Sequence, residues 1–390
     1  MKAVGTVARG IRAPLIKRGD DIVRITVESV LTAAREENFE LKDRDVVGIT
    51  EAVVARAQGN YANCAQIAAD IRCKFPDGTL AVTFPITSRN RFANVLKGIA
   101  DGCGKLYIML SLPADEVGNE LISWDMLDNA GINPYTDLLT EKMYREKFGH
   151  DTTHLYTNVD YVRYYKSFGE HIEIIFGNNV KHVLEFTGNV LCCDIHTRFR
   201  SKRLLKEAGA AIVCGLDDIL TSSIDGSGYN EQYGVLGSNK AAEDSVKLFP
   251  RDCETVVSRI ADRFKEATGK QIEVMIYGDG AFKDPVAHIW ELADPVVSPA
   301  FTPGLAGTPN ELKLKLLLDN DFAGKSDEEA KAAMNKAIKS KTSNNEDKSL
   351  GTTPRRYTDL IGSLCDLVSG SGDKGTPIVL VQGYFDNYAS

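Results

Sequence analysis

The chain has 390 residues, 43% of them hydrophobic and 26% charged, with a formal net charge of -8. That is the composition of a globular protein larger than one ordinary domain, and two domains are expected. An acidic balance argues against a general nucleic-acid or anionic-membrane binder, because both need a basic surface. The eight cysteines include no CxxC pair, so they read as reduced thiols rather than a disulfide or zinc framework. No apolar signal core opens the sequence and no run is long enough to span a bilayer, so a cytoplasmic protein is expected.

Residues 1–60 read as strand, basic loop, helix and strand. Asp20 or Asp21 can cap a helix whose apolar positions include Ile22, Ile25, Val27, Val30 and Leu31. The loop before it, 12–18, carries Arg12, Lys17 and Arg18. Read from its residues alone, this is a basic loop with three cations, and a solvated surface loop is the plain reading. A short apolar strand over 45–49 then ends at Thr50 and Glu51.

From 79 to 224 the pattern alternates strand and helix. Nearly continuous apolar runs at 80–84, 106–110, 172–176, 190–193 and 211–214 predict a parallel sheet covered on both faces. Such doubly wound sheets bind ligands beyond their carboxyl ends. After the first run, Ser88 is placed to cap a helix with Arg89 and Arg91 in its first turn. Cations there oppose the helix dipole, and an anionic ligand would repair the conflict. The fourth run leads to Asp194, His196 and Arg198. These five residues are assigned to a substrate cleft. Asp115, Glu116, Asn178, Asn179, Asp217 and Asp218 follow the other runs and read as caps. The six histidines show no HxxxH pair on one helix beside an acid, so a His-based metal site is not expected.

A Gly-rich polar loop holding Asp225 leads to a helix with Val256, Val257, Ile260 and Phe264 at helical spacing. Asp252 is placed to cap its start, and Gly269 follows its end. A β-forming run over 272–277 then empties into Gly278-Asp279-Gly280-Ala281-Phe282-Lys283-Asp284. Carboxylates hold a hard cation, Lys neutralises phosphate, and glycines admit backbone N–H groups, so the loop suits a metal with bound phosphates. An Asp-Gly turn with a solvated Lys is the alternative. Residues 319–353 are charged and poor in large apolar side chains, which predicts a polar helix and a mobile loop.

Taken in order, several of these segments resemble the coenzyme F-420-0:L-glutamate ligase (γ-glutamyl ligase) family. The opening 10–21 is similar to a GI(R)xPLIxxGDD motif, and 53–59 to a VSKAEG segment. Ser238-Asn239, then LFPRD, a helix ending in TG, a strand and the Asp-Gly loop follow the family's sequence of features. Residues 359–382 resemble its last helix, nucleotide loop and strand. The resemblance covers about 1–60, 225–300 and 355–385.

That resemblance implies an α/β protein. An α+β ligase-like domain would be formed by both chain ends, 1–75 and 225–390, with 76–224 inserted as a Rossmann-like doubly wound sheet. It implies GTP or ATP, Mg²⁺ or Mn²⁺, and a carboxylate–amine ligase that adds L-glutamate to an anionic acceptor through an acyl phosphate. Arg12, Lys17, Glu51, Ser238, Asn239, Gly370, Ser371, Gly372 and Asp373 would contact nucleotide. Asp279, with Asp284 and Asp225, would hold metal, and Lys283 would act with Asp279 and Asp284 at the reacting phosphoryl group. Two family carboxylates are replaced, by Leu236 and Ser371, and Asp225, Asp284 or Asp373 are open as substitutes. A metal-dependent phosphohydrolase, or a nucleotide-binding protein without ligation, are the alternatives. No nucleic acid or membrane partner is expected, and a homodimer is left open.

Overall fold

The computed structural model describes residues 3–150, 152–154, 157–278, 298–309, 312–321, 323–340, 356–370 and 372–387. In chain order the strands are β1 Val7–Ile11, β2 Val46–Thr50, β3 Tyr61–Asn63, β4 Thr79–Thr83, β5 Lys105–Leu110, β6 Leu139–Thr140 and β7 Ile172–Phe176. They continue with β8 Asn189–Cys192, β9 Ile212–Gly215, β10 Asn239–Ala242, β11 Ser245–Lys247, β12 Glu273–Tyr277, β13 Ala300–Phe301 and β14 Ile378–Gln382. The fold is α/β, as expected, and divides into two compact units. One runs to Val54 and resumes at Asp252; the other is Ala55–Arg251.

The first unit is built on a mixed sheet in the order β1-β14-β2-β12-β13. Only β2 and β12 are parallel; the remaining pairs are antiparallel. Val46, Val47, Ile49, Val274, Met275 and Ile276 have no exposed surface, so both faces of the central strands are covered, and the continuous apolar runs follow from that. Helix Tyr357–Ser369 presents Ile361 and Cys365 to Val46, Met275, Tyr277, Val379 and Val381. Helices Ile22–Glu36 and Cys253–Thr268 also pack on this sheet.

Asp21, not Asp20, caps the first of these helices by accepting the Arg24 N–H at 3.0 Å. The expected cap at Asp252 is not made through its side chain. Asp252 sits in the left-handed region at φ 51 with no capping bond, while Gly269 ends the helix at φ 72. Asp tolerates that conformation, so it serves as a chain-turning residue there.

The second unit holds a sheet in the order β6-β7-β5-β4-β8-β9, parallel except for the edge strand β6. Counted along the chain, the five parallel strands lie third, second, first, fourth, fifth, which is the Rossmann order. All five expected strands are present within a residue or two. A small antiparallel sheet, β10-β11-β3, belongs to the same unit. The boundaries expected at 75/76 and 224/225 thus fall inside this unit. Ala62, Val246 and Leu248 share one buried core with Ile67, Ile71, Leu80 and Val82, which ties the flanks 55–75 and 225–251 to the parallel sheet. Buried Asn60 helps: its amide donates to Tyr229 O and Phe249 O at 3.0 and 2.6 Å and accepts the Tyr229 N–H at 3.0 Å.

The expected polar helix is Asp327–Ser340; the loop expected to follow it, 341–355, lies outside the described residues.

Helix Tyr357–Ser369 approaches the sheet closely because β2 carries a glycine. A Cβ at Gly48 would sit 2.6 Å from Cys365 Sγ and 3.3 Å from a Tyr277 ring carbon. Gly48→Ala should therefore cost about 1–3 kcal/mol by overpacking. Urea denaturation checks this, and Cys365→Ala in the same chain should return most of the loss.

Candidate functional site

Strand register sets which loops of the first unit share an edge. Ile378 opens β14 opposite Ile11 and Ile49, the last and next-to-last residues of β1 and β2, and Tyr277 closes β12 opposite Thr50. The carboxyl ends of β1, β2 and β12 and the amino end of β14 therefore lie together. Arg12 and Lys17, Thr50 and Glu51, the 370–377 loop, and the exit of β12 at Gly278 all belong to this edge.

Backbone bonds lock it. Ala13 N–H donates to Gly375 O at 3.1 Å, and Thr50 N–H to Pro377 O at 3.0 Å. A Cβ on Gly10 would already touch Thr376 at 3.1 Å. Arg12 and Lys17 are exposed, and the Lys17 N–H is held by the Asp20 carboxylate at 2.6 Å. Glu51 is buried at the first residue of helix Glu51–Gln58, where a carboxylate complements the helix dipole. Gly370 ends helix Tyr357–Ser369 at φ 59, and a Cβ there would lie 2.6 Å from Lys374 Nζ. Gly372 and Asp373 open a short 3₁₀ turn.

Arg12 also lines a cavity of about 470 Å³ with Pro14, Asp20, Arg24 and Glu28. Exposed cations beside glycine-built turns are a donor set that fits nucleotide phosphates. Asp279, Lys283, Asp284 and Ser371 lie outside the described residues, and among the described residues no three His, Cys, Asp or Glu side chains form a metal-binding group.

The other expected residues belong to the second unit. Ser238 is buried and its Oγ has no hydrogen-bond partner, while Asn239 begins β10. Asp225 is exposed in a left-handed turn at φ 49. Leu236 packs against the buried core.

The Rossmann order reverses between β4 and β8, so their following loops flank the switch point. These are the loops of Arg89 and Arg91 and of Asp194, His196 and Arg198. Ser88 Oγ accepts the Arg91 N–H at 3.1 Å, yet the helix begins only at Ala93. Arg89 and Arg91 thus lie in the turn before the helix, not in its first turn. Arg89 is exposed, Arg91 half-buried and His196 exposed.

Arg198 is otherwise engaged: it is buried, pairs through Nε with Asp217 Oδ1 at 2.9 Å, and donates to Asp194 O and Ile195 O at 3.2 Å. Asp194 is buried, and its Oδ2 accepts from Thr197 and Ser201 hydroxyls at 2.7 and 2.8 Å. Burial pushes its carboxyl above the usual range, against those two bonds.

Two residues read as caps have another role. Buried Asp115 accepts from the N–H and hydroxyl of Thr87 at 2.8 and 3.0 Å. Glu116 accepts the N–H groups of Ile195 and His196. One dipeptide therefore holds both switch-point loops. Nothing in sequence distinguishes such a brace from an ordinary cap, because Thr87, Ile195 and His196 lie on loops that follow other strands.

Arg198→Ala should leave the Asp194 and Ile195 carbonyls without their donor, with Asp217 keeping Lys202, and cost about 1–3 kcal/mol, whereas exposed Arg89→Ala should stay within about 0.5 kcal/mol. Chemical denaturation of the two variants measures the difference.

A comparison with curated protein sequences returns no significant match. The family model described as F420-0:Gamma-glutamyl ligase matches residues 10–383, a span that takes in the opening motif, the whole second unit and the late loop before β14. With nearly its entire length matched, the chain belongs to the F420-0:Gamma-glutamyl ligase family.

Proposed function

We propose that the chain is a nucleotide- and metal-dependent carboxylate–amine ligase that adds L-glutamate to an anionic small-molecule acceptor. The observation that supports this most is the shared edge in the first unit. There Arg12, Lys17, Glu51 and the Gly370–Asp373 turn meet the end of β12, the strand that leads directly into Asp279.

In this reading Arg12 and Lys17 hold nucleotide phosphates, with the glycine turn of Gly370 and Gly372 admitting backbone N–H groups. Asp373 belongs to that turn. Asp279 with Asp284 would hold Mg²⁺ or Mn²⁺, and Lys283 would neutralise the moving phosphoryl group. When bound, such a metal would supply positive charge to offset that of the phosphates. The ligase step transfers the terminal phosphoryl group of GTP or ATP to an acceptor carboxylate. The amine of L-glutamate then attacks the acyl phosphate, the amide C–N bond forms, and inorganic phosphate leaves. Arg89, Arg91 and His196 are assigned to the anionic acceptor, and Asp194 and Arg198 to the support of their edge.

A second reading, nucleotide binding without ligation, is favoured by Leu236, an apolar core contact where the family has a carboxylate. Release of nucleoside diphosphate that depends on L-glutamate separates the two; release without it would indicate a phosphohydrolase. Calorimetry should show nucleotide binding only with Mg²⁺ or Mn²⁺, and equal affinity without metal would exclude the proposed ion. Asp279→Asn should lower turnover by about a hundredfold, some 2.7 kcal/mol of barrier, with unchanged thermal melting. Full activity in that variant would remove Asp279 from the site.

A further inference from the structure

We propose that a cavity at the amino ends of β1 and β2 binds a free α-amino acid as a zwitterion. Arg9 and Arg44 would take its carboxylate and Asp45 its ammonium. The cavity belongs to the first unit alone, at the opposite end of the strands from Arg12 and the 370–377 loop. The proposal is independent of the ligase reading.

Strand register brings the opposite charges together. β14 lies between β1 and β2, with Gln382 opposite Val7 and Val381 opposite Val46. Gln382 therefore stands beside Asp45, the residue before β2. Side chains alternate along a strand, so Arg9, Gln382 and Asp45 share one face. Hydrogen bonds join the three: Arg9 Nη1 donates to Gln382 Oε1 at 2.7 Å, and Gln382 Nε2 donates to Asp45 Oδ2 at 2.6 Å. One neutral amide thus holds a guanidinium and a carboxylate apart. All three line a cavity of about 550 Å³ with Arg44, Phe39 and Phe385, a volume ordinary for small-molecule sites.

The two arginines are oriented but not neutralised. The Arg9 guanidinium lies 4.5 Å from the centre of the Phe39 ring, and that of Arg44 3.9 Å from the centre of Phe385. A ring face fixes the plane of a guanidinium and leaves its N–H edge for a carboxylate. Among the described residues neither arginine forms an ion pair, and the Arg44 guanidinium makes no hydrogen bond. Arg44 is also held at φ 65, with its N–H on Gln271 O at 2.8 Å. A left-handed backbone is costly for a residue other than glycine.

Asp45 supplies the other half. It is 2% exposed and yet forms part of the cavity wall. Its Oδ2 takes both bonds, from the Lys42 N–H at 2.8 Å and from the Gln382 amide, and Oδ1 has none among the described residues. Burial pushes this carboxyl above its usual range, against those two bonds. A buried acceptor without a donor is destabilising, and an ammonium would give Oδ1 a charge-assisted bond. The remaining charged residues on the cavity, Glu40, Lys42, Asp43 and Asp386, are all exposed and act through water. A simple carboxylate would satisfy the arginines but meet Asp45, and a simple amine would do the reverse. A molecule with both charges on neighbouring atoms satisfies both.

Saturation-transfer NMR tests the full-length protein against an equimolar mixture of the twenty common L-amino acids, without nucleotide or metal. At least one should bind. Calorimetry with the responding amino acid should show affinity falling about tenfold or more in Arg44→Gly and in Asp45→Asn, since each removes one charged contact. Glycine suits the left-handed backbone, so Arg44→Gly removes the guanidinium without straining the turn. Analogues of the responding amino acid that lack only the ammonium, or only the carboxylate, should bind wild type more weakly than it does.

An absence of binding to wild type overturns the proposal. An affinity that both variants leave unchanged overturns it too, because the amino acid then sits elsewhere. Should Asp45→Asn fail to fold, Arg44→Gly decides alone. An analogue with a single charge that binds as tightly as the amino acid overturns the zwitterion. Because these measurements use no nucleotide, their outcome stands whether or not L-glutamate triggers nucleoside diphosphate release, which reads the ligase separately.

Discussion

The parallel pairing of β2 with β12 is the constraint on which the first unit depends. Val46–Thr50 lies residue for residue against Glu273–Tyr277, although the whole of Ala55–Arg251 separates the two strands in sequence. Closing such a loop costs entropy before any contact repays it. The repayment is the burial of both faces of the pair, with Val46, Val47, Ile49, Val274, Met275 and Ile276 all inaccessible. Because the pair is parallel, Thr50 and Tyr277 end on the same edge, and antiparallel β14 brings its amino end there too. An antiparallel β2–β12 pair would send the exit of β12 to the far side, away from Arg12 and the 370–377 loop.

The second unit uses a different device for the same purpose. Five parallel strands put all their carboxyl ends on one edge, and the reversal of order between β4 and β8 opens a gap between the loops that follow them. Charged residues there divide into supports and contacts by burial. Arg198, Asp194 and Asp115 are buried and bonded to their own surroundings, so they hold the loops in place. Arg89 and His196 are exposed. Glu116 stands between these classes, bonded to the loop it faces yet only half-buried.

Much of this organisation is legible in the residues. The five parallel strands announce themselves because a strand buried on both faces has to be apolar at every position. Helix Cys253–Thr268 is readable from Val257, Ile260 and Phe264, its buried stripe, and from Gly269, whose left-handed turn favours glycine. The short motifs around Arg12, Ser238 and Gly370 carried the family resemblance because glycines and cations at fixed places in a loop are visible in sequence.

What the residues could not decide by themselves was everything that depends on which distant segments meet. Ser88 and the arginines beside it have the pattern of a helix start, but the helix waits until Ala93 because Tyr165 OH accepts the Ser88 N–H and donates to Ile86 O. Arg198 looks like a substrate contact until Asp217, on a neighbouring strand's loop, takes its Nε. Asp115 and Glu116 look like caps until Thr87, Ile195 and His196 arrive as donors. The limits of the second unit are hidden for the same reason: Ala62 and Val246 join its core only through contacts across long stretches of chain. By itself the sequence determined the elements and the chemistry of each loop, since propensity, periodicity and charge are local. Only the tertiary structure decided which of those charges are spent on bonds within the protein and which face outward, because burial and partnership are properties of the assembled chain.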